Sequence, residues 1–489
     1  MTSLLALSAL ALSGSQSVRP NIVFVLADDV GYGDLVCYGA TKTRTPNIDR
    51  IARDGIRFLD AHSPATVCTP TRYGLLTGEY PFRHPPGAGI LSGVAPLCIP
   101  KDRATMPQTL KKAGYRTGVV GKWHLGLGET VPDFNGVLEP GPQQVGFDYS
   151  FILPATGDRV PCVYVENGRV VGLDPQDPIQ VSFRGKVGND PTGRENPELL
   201  KIKPVVGHND TIVNGVSRIG FMSGGTKARW IDEDMADTFA SKATSFIENN
   251  AHQPFFLYVP THDVHAPLLP HKRFNGVSDC GLRGDTLAEL DWTVGELLKT
   301  LDRLKLTDNT IFVFTSDNGA VENDGYSDPR ENLNGHKVNG NLRGEKYSLY
   351  EGGHRIPMVL SWPARTPRGV SSNALVCQID FFRTLAALVG ADLGPNEAPD
   401  SQNLLAALLD GEAKGRDSLV HHKGGANSPL AYREGRHVIV PKPNSEWELF
   451  DLAADLSQKN DLAKLQPETV QRLSANLAAI KTKPAGGRS

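Results

Sequence analysis

The chain has 489 residues, of which 39% are hydrophobic and 21% charged, and its formal net charge is −3 at pH 7. This length exceeds what one small core holds, so we expect one large domain and a smaller one. The near balance of charge provides no global field that would attract nucleic acid or an anionic membrane, and neither is expected as a partner.

The N-terminal segment, residues 1–18, contains the apolar run LLALSALALSGSQS. A short apolar run followed by small residues is typical of a secretory signal peptide, although no Lys or Arg precedes it. The run is too short to span a bilayer, and no other apolar stretch reaches about twenty residues. We therefore expect an exported protein, in a periplasmic, extracellular or lysosome-like compartment, without a membrane span.

Strands and helices are predicted to alternate along most of the chain. Five short apolar runs predict buried strands, at 21–27, 116–121, 254–260, 310–316 and 357–362. Four segments with apolar residues at helical spacing predict helices, at 45–55, 105–114, 230–250 and 287–304. This alternation predicts an α/β fold with a large mixed, mostly parallel sheet sandwiched by helices.

Two regions depart from the alternation. Residues 157–227 are rich in Gly, Pro, Asn and Asp, with a hairpin predicted to turn at Asn167-Gly168, within a main domain at 19–414. Near the C-terminus, HVIVP, WELFDL and a final helix predict a small α+β subdomain at 415–489. Seven basic residues of the insertion either face an acidic substrate or lie in solvated loops: Arg159, Arg169, Arg184, Lys186, Arg194, Lys201 and Lys203.

Acidic side chains follow two of the predicted strands. Asp28 and Asp29 come directly after the first strand, and Asp317 and Asn318 directly after the fourth. In an open parallel sheet, ligands bind outside the carboxyl ends of the strands. Three carboxylates and an amide oxygen would meet there, a set that suits a hard cation such as Ca²⁺ or Mg²⁺. Asp34 either joins this site or stabilises a turn, and we favour the turn.

A helix is predicted to begin in the segment CTPTR, which starts at Cys68. We expect Thr69 to cap this helix, with Pro70 as its first residue. The helix N-terminus and Arg72 favour an anion beside Cys68. The alternative is that Cys68 packs as a small buried hydrophobe.

The six cysteines are widely spread and form no C-x-x-C pair. This argues against a zinc site and against a small disulfide scaffold. If Cys68 is reserved for chemistry, at most two disulfides can form among the other five.

Basic side chains adjoin the other three predicted strands. Lys122 and His124 follow the second strand, His262 and His265 follow the third, and Lys346 precedes the fifth. A single Lys or His on a loop is usually solvated. Several of them beside a metal-sized acidic cluster indicate a site for a tetrahedral oxyanion.

These segments together resemble the sulfatase family, within the alkaline phosphatase-like superfamily. CTPTR followed by a Thr-Gly pair is a highly specific signal of that family. The matching segments run in order through most of the chain: NIVFVLADDVGYGDLVCYG, TPNIDRIARDGIRF, CTPTRYGLLTGEYP, GYRTGVVGKWHLG, THDVHAP, VFTSDNG, YEGGHRIP and WELFDLAADLSQKNDLA.

The resemblance implies a sulfuric ester hydrolase acting on a sulfated carbohydrate or an aryl sulfate. In this family a maturation enzyme oxidises the cysteine of the C-x-P-x-R motif to formylglycine, so Cys68 would become the formylglycine. The ligands of a Ca²⁺ ion, with Mg²⁺ as an alternative, would be Asp28, Asp29, Cys68, Asp317 and Asn318. The other catalytic side chains would be Arg72, Lys122, His124, His265 and Lys346.

The implied mechanism uses the two hydroxyl groups of the hydrated aldehyde. One hydroxyl attacks sulfur and forms a covalent sulfo-enzyme, while His265 protonates the leaving alcohol. His124 then deprotonates the second hydroxyl, and sulfate leaves as the aldehyde forms again.

Two alternatives stay open. A hydrolase of phosphonate monoesters or phosphodiesters, from the same superfamily, would use the same metal and cations. A protein that binds sulfated glycans without catalysis could share the fold, because fold alone does not imply activity.

Overall fold

A ten-stranded mixed sheet, packed against helices, forms the centre of the fold, and a separate four-stranded antiparallel sheet lies near the C-terminus. The computed structural model describes residues 19–205, 207–327, 332–412 and 414–482. The predicted signal peptide at 1–18 lies outside the described residues. Within the described ranges, no helix is long and apolar enough to cross a membrane.

Strands and helices are numbered in chain order. The strands are β1 (Asn21–Ala27), β2 (Ile56–Phe58), β3 (Ala61–His62), β4 (Arg116–Lys122), β5 (Tyr149–Leu153), β6 (Val165–Glu166), β7 (Arg169–Val170), β8 (Gln180–Ser182), β9 (Ile212–Val213), β10 (Val216–Ser217), β11 (Phe221–Ser223), β12 (Phe255–Pro260), β13 (Thr310–Ser316), β14 (Met358–Ser361), β15 (Val370–Ser372), β16 (Val376–Cys377), β17 (Ser418–His422), β18 (Leu430–Glu434), β19 (His437–Pro441) and β20 (Trp447–Asp451). The helices are α1 (Pro46–Asp54), α2 (Cys68–Thr77), α3 (Met106–Lys112), α4 (Pro142–Val145), α5 (Met235–Asn249), α6 (Gly281–Arg303), α7 (Glu351–His354), α8 (Asp380–Leu388), α9 (Leu405–Leu409) and α10 (Pro467–Thr482).

The large sheet has the strand order β15-β2-β14-β13-β1-β12-β4-β5-β6-β7. Its five central strands, β13, β1, β12, β4 and β5, run parallel to one another. β14 and β6 flank them in antiparallel orientation. The prediction of a large mixed, mostly parallel sheet is confirmed.

The register of the central strands places the ends of β1 and β13 side by side. β1 is buried along its whole length between β12 and β13, as expected for a strand without polar alternation. Ala27, the last residue of β1, is level with Ser316, the last residue of β13. The residues that follow the two strands therefore leave the sheet next to each other.

Helix starts differ clearly from the predictions at three positions: α5 begins at Met235, five residues after the predicted start, and α6 and α2 also begin elsewhere. α6 begins at Gly281, six residues before the predicted start, because its first turn contains two glycines and no apolar repeat. α2 begins at Cys68 after the N-cap residue Val67, so the prediction that Thr69 caps this helix is wrong. The Thr69 hydroxyl instead donates to the carbonyl oxygen of His124 at 2.9 Å.

The C-terminal sheet is a meander of β17, β18, β19 and β20, with α10 packed against β18 and β19. Its core contains Leu419, Ile439, Leu449, Leu473 and Leu477. An ion pair between Arg416 and Asp380, with 2.9 Å between Nε and Oδ2, joins the start of this sheet to α8. All six cysteines of the chain are free thiols.

Three buried histidines lie where the C-terminal sheet meets the main domain. The rings of His354 and His421 stack with 3.5 Å between their centroids, and His62 Nδ1 lies 3.0 Å from His354 Nδ1. Burial lowers the pKa of all three, that of His354 to about 3. The charged groups around them form one network, in which Arg355 pairs with both Glu351 and Asp60, and Asp60 also pairs with Arg433. His62 Nε2 lies 2.8 Å from Asp60 Oδ1.

We expect the free energy of unfolding to decrease as the pH falls below about 6.5. The unfolded histidines bind protons near their ordinary pKa of 6.5, whereas folded His354 stays neutral down to a pKa of about 3. Each histidine held neutral costs about 1.4 kcal/mol per pH unit within this window. The measurement is urea denaturation at about pH 8 and about pH 5.

His421→Phe keeps the stacked ring and removes one titrating group, so its stability should fall less on acidification. The control is His252→Phe at an exposed position. This variant should lose as much free energy of unfolding on acidification as the wild type does. If His421→Phe and the wild type lose the same free energy of unfolding on acidification, the histidine cluster does not titrate in this way.

Candidate active site

Three carboxylates meet where β1 and β13 end. Asp28 and Asp29 follow β1, Asp317 follows β13, and one oxygen from each lies within 4.8 Å of the others and of Cys68 Sγ. Asn318 Nδ2 donates to Asp29 Oδ1 at 2.6 Å, which leaves Asn318 Oδ1 buried without a hydrogen-bond partner. The four residues predicted as neighbouring metal ligands and Cys68 are thus brought together.

Cys68 reaches this cluster as the first residue of α2, a helix whose ten residues are all buried. Its Sγ lies 3.7 Å from Asp28 Oδ1. Burial raises the pKa of the Cys68 thiol, and the nearby Lys122 and Lys346 do not offset it. An unmodified Cys68 is therefore a neutral thiol and a poor nucleophile, because the thiolate is the reactive form.

Each carboxylate of the cluster is paired with one cation. The pairs are Arg72 with Asp317, Lys122 with Asp28, and Lys346 with Asp29. The Arg72 and Lys346 contacts are both 2.8 Å. Lys346 also pairs with Asp324, so four carboxylates face three cations, and a bound divalent cation would leave one net positive charge, which favours an anionic ligand.

The pKa values of the cluster carboxylates respond to their different neighbours. Burial opposes ionisation of Asp29, but Lys346 and His265 outweigh it and lower the pKa of Asp29. For Asp317, burial and the charge of Asp28 raise the pKa despite its pairing with Arg72. Like charges close together disfavour joint ionisation, and a bound cation would relieve this repulsion.

His124 is arranged as a proton acceptor. Its Nε2 lies 3.0 Å from the carbonyl oxygen of Leu91, so Nε2 carries the proton and donates it. Its Nδ1 is buried and has no hydrogen-bond partner. Burial lowers the pKa of His124 well below its usual value, as do Lys122 and Arg159, so the ring is neutral.

His265 presents its other ring nitrogen to the site. Its Nδ1 donates to the carbonyl oxygen of Ala266 at 2.7 Å. Its Nε2 lies 3.6 Å from Asp324 Oδ2 and 3.9 Å from Asp29 Oδ2. Burial and the charge of Lys346 lower the pKa of His265.

Backbone conformation positions two of these residues. Asp29 and His124 have φ angles of 59° and 53°, in the left-handed region that L-residues rarely adopt. Before Lys122, Gly121 has φ of 135°, and a Cβ there would lie 1.9 Å from the carbonyl oxygen of Pro260. Only glycine allows β4 to approach β12 this closely at the point where Lys122 leaves the sheet.

Asp34 does not join the carboxylate cluster. Its Oδ2 accepts a hydrogen bond from the backbone N–H of Gly31 at 2.7 Å, as expected for a turn. It also pairs with Arg283 at 2.5 Å, and Arg283 Nη2 donates to the carbonyl oxygen of Asp29 at 2.8 Å. Asp34 thus helps to position the backbone of Asp29 through Arg283.

Sequence reasoning missed two acidic residues beside the site. Asp324 pairs with Lys346 at 2.8 Å, although it lies in a loop without a recognisable pattern. Asp158 pairs with Arg159 at 3.0 Å, and His208 Nε2 lies 3.3 Å from Asp158 Oδ2.

Of the seven basic residues named above in the insertion, all of them in the described ranges, only Arg159 lies at the site. Arg159 Nη1 donates to the carbonyl oxygen of Leu91 at 3.1 Å, the same oxygen that His124 contacts. The other six are exposed, and several form surface ion pairs, such as Lys186 with Glu195. They do not form a basic wall around the cluster.

The donor set fits a hard divalent cation. It offers three carboxylates and the unpartnered amide oxygen of Asn318, the oxygen ligands that Ca²⁺ and Mg²⁺ prefer. The Cys68 thiol is a soft donor and does not suit these ions. An oxygen atom at the same position, as formylglycine would supply, completes an all-oxygen set.

A carboxylate cluster at the carboxyl ends of parallel strands, surrounded by lysine, arginine and histidine, defines a class of hydrolase for esters of tetrahedral oxyanions. A family model described as Sulfatase matches residues 20–391. The N-acetylgalactosamine-6-O-sulfatase of Bacteroides thetaiotaomicron is 50% identical over 488 residues, covering 96% of this chain and 95% of that protein. Human arylsulfatase A is 34% identical over 413 residues, covering 84% of this chain and 72% of that protein.

Solved structures agree with this assignment. One from Bacteroides thetaiotaomicron, from work on the metabolism of multiple glycosaminoglycans, has 50% identity and a TM-score of 0.92, covering 96% of this chain and 100% of that chain. The phosphonate monoester hydrolase of Agrobacterium radiobacter has 17% identity and a TM-score of 0.58, covering 95% of each chain, a likeness of fold alone. The chain belongs to the sulfatase family, and it is a sulfuric ester hydrolase.

We expect removal of divalent cations to lower the melting temperature. Without a cation, the three carboxylates repel one another, and a ligand that binds only the folded state stabilises it by about 4 kcal/mol at a thousandfold excess over Kd. The measurement is thermal unfolding after treatment with EDTA, with and without added CaCl₂.

Asp317→Asn should lose most of the calcium response, because it removes one ligand charge. Asp291→Asn is the matched control, since Asp291 is buried but caps α1 away from the cluster. A melting temperature of the wild type that does not change with calcium would contradict the proposed ligand set.

Proposed function

We propose that this sulfatase removes the 6-O-sulfate of N-acetylgalactosamine in a sulfated glycan, with Cys68 oxidised to formylglycine and Ca²⁺ held at the carboxylate cluster. The proposed substrate rests on the 50% identity, over 96% of the chain, with a protein named for that activity. The observation that supports the nucleophile is the position of Cys68 Sγ within 4.8 Å of three carboxylates.

Asp28, Asp29, Asp317 and Asn318 would hold the Ca²⁺ ion, and Mg²⁺ fits the same oxygen ligands less flexibly. When bound, the ion withdraws charge from sulfate oxygens and favours deprotonation of the attacking hydroxyl. Arg72, Lys122 and Lys346 surround the same place with fixed positive charge. Such preorganised charge is worth most in a buried site, because it needs no rearrangement during the reaction.

Formylglycine at position 68 supplies a hydrated aldehyde with two hydroxyl groups. One hydroxyl gives up its proton, and its oxygen forms a bond to sulfur as the bond between sulfur and the sugar oxygen breaks and that sugar oxygen takes up a proton. Loss of the proton from the second hydroxyl then re-forms the aldehyde and expels sulfate, and addition of water restores the hydrate. A serine or an unmodified cysteine has no second hydroxyl and could not complete this cycle.

The two histidines have geometries that suit opposite proton transfers. His124 Nδ1, buried and unpartnered, can accept the proton of the second hydroxyl. His265 Nε2, beside Asp29 and Asp324, can carry a proton to the leaving sugar oxygen. General acid and general base catalysis of this kind typically contribute factors of about 10² to 10⁴ in rate.

A maturation enzyme that reads the CTPTR segment would be the protein partner of this chain. We also propose that the protein is exported, on the basis of the signal-like residues 1–18. Export places the enzyme where extracellular sulfated glycans are degraded.

Cys68→Ala should abolish sulfate release, and Cys68→Ser should reduce it almost as far, because neither residue can form the aldehyde. The assay is sulfate release from N-acetylgalactosamine-6-sulfate by protein from a host that matures sulfatases. Cys98→Ala is the control, since Cys98 is also buried but lies outside the cluster.

The mass of the peptide containing residue 68 should be lower than that of the cysteine form. An unmodified Cys68 in protein that still releases sulfate would overturn the mechanism. Release of phosphonate or phosphodiester products instead of sulfate would overturn the substrate class.

His265→Asn should lower kcat for the sugar sulfate by about a hundredfold or more, because a sugar alkoxide must be protonated as it leaves. With 4-nitrophenyl sulfate the loss should be much smaller, since a nitrophenolate leaves without a proton. The comparison of the two substrates by steady-state kinetics provides the measurement. His271→Asn, on the same loop but outside the site, should change neither rate, and equal losses on both substrates would exclude the acid role.

A further inference from the structure

Tyr347 is an exposed aromatic side chain beside the active site. The chain contains 12 tyrosines, 18 phenylalanines and 5 tryptophans. Among the large apolar side chains exposed in the described part of the chain, Tyr347, at 43% exposure, is the single aromatic one. The others are aliphatic, so the exposure of Tyr347 is unusual for its residue type in this protein.

The Tyr347 ring lies against a residue of the site. Lys346 Nζ, which pairs with Asp29 and Asp324, lies 5.4 Å from the centroid of the Tyr347 ring. A cation within about 6 Å of an aromatic face is attracted to it. One part of the ring therefore faces Lys346, and another part remains open to solvent.

The backbone of Tyr347 is held in a strained conformation. Its φ angle is 72°, in the left-handed region where a bulky side chain is unfavourable. Its N–H donates to the carbonyl oxygen of Thr66 at 3.1 Å, two residues before Cys68. Strain of this kind persists where the surrounding structure over-determines it, and it concentrates at binding and active sites.

Tyr347 and Arg159 each lie beside a residue of the site: the Tyr347 ring beside Lys346, and Arg159 beside His124, with which it shares the carbonyl oxygen of Leu91. Burial raises the pKa of Tyr347 despite the opposing charge of Lys346, so its phenol is neutral. Arg159 pairs with Asp158, with 3.0 Å between Nε and Oδ1. The surroundings of the site thus combine a neutral aromatic ring with a charged guanidinium group.

We infer that Tyr347 is a substrate-binding residue, whose ring packs against the apolar face of the sulfated sugar while its sulfate lies at Cys68. A pyranose ring has C–H groups on its faces and hydroxyl groups at its edge. A site that recognises it needs an apolar surface and a few placed polar groups. Tyr347 supplies the apolar surface, and Arg159 with Asp158 supplies polar groups. This inference rests on the proposed activity toward a sulfated sugar.

The experiment compares Tyr347→Ala, Tyr347→Gly and Tyr347→Phe with the wild type on N-acetylgalactosamine-6-sulfate. Loss of the ring should lower kcat/KM about tenfold, mainly through KM, a change typical of one aromatic contact. Tyr347→Phe keeps the ring and should stay within about twofold of the wild type. Tyr347→Gly removes the backbone strain, so it distinguishes a lost contact from a damaged fold.

Inhibition by inorganic sulfate provides the second measurement. Sulfate occupies the anion site but has no sugar ring, so its inhibition constant should be the same in Tyr347→Ala and the wild type. Leu465→Ala truncates an apolar side chain that is 78% exposed and lies outside the site. It should change neither KM nor the inhibition constant of sulfate.

Unchanged kcat/KM in Tyr347→Ala and Tyr347→Gly would overturn the inference, as would a sulfate inhibition constant that rises as much as KM. Failure of the proposed substrate shows separately, in the wild type, as absence of sulfate release from N-acetylgalactosamine-6-sulfate. The same variants are then compared on the sulfated monosaccharide that the wild type does desulfate, with the same two criteria.

Discussion

The mutual repulsion of three buried carboxylates is the constraint that governs this structure. Carboxylates this close together in a buried site would not all ionise unless opposite charges neutralise them. Arg72 from α2, Lys122 from β4 and Lys346 from the loop before α7 supply those charges, one to each carboxylate. Distant segments of the chain therefore converge on the ends of β1 and β13 for an electrostatic reason. The same cations are then in place around any anion that binds, so one set of charges serves both folding and catalysis.

Contacts outside the carboxylate cluster fix the orientation of the residues within it. Asp34 holds Arg283, and Arg283 holds the carbonyl oxygen of Asp29, whose backbone is left-handed. Gly121 permits the close approach of β4 to β12 immediately before Lys122. These residues touch neither the carboxylate oxygens nor the sulfur atom, yet they limit how far the carboxylates can move. The site is consequently built before substrate arrives, and little reorganisation remains for the reaction itself.

Local patterns were sufficient to predict the centre of the sheet and the residues at its strand ends. An unbroken apolar run ending in polar residues marks both the buried strand and the point where a side chain leaves it, as for Asp28 after β1. The antiparallel direction of β14 was not predictable, because a strand buried on both faces carries no mark of its direction. Thr69 was misassigned because its hydroxyl is used by a tertiary contact, which a local capping rule cannot register. Asp324 and His208 lie in irregular loops, where only the folded chain brings them beside Lys346 and Asp158.

The complete burial of α2 has a consequence for the order of events in biosynthesis. All five residues of CTPTR lie inside the folded protein, and Cys68 is only 1% exposed. An enzyme that oxidises Cys68 needs access to its side chain, which the burial of α2 in the native protein excludes. On the proposed mechanism, oxidation therefore precedes folding, and a molecule that folds first is permanently inactive. The yield of active enzyme is then set by a kinetic competition between modification and folding, and a change that accelerates folding would lower that yield without altering the finished site.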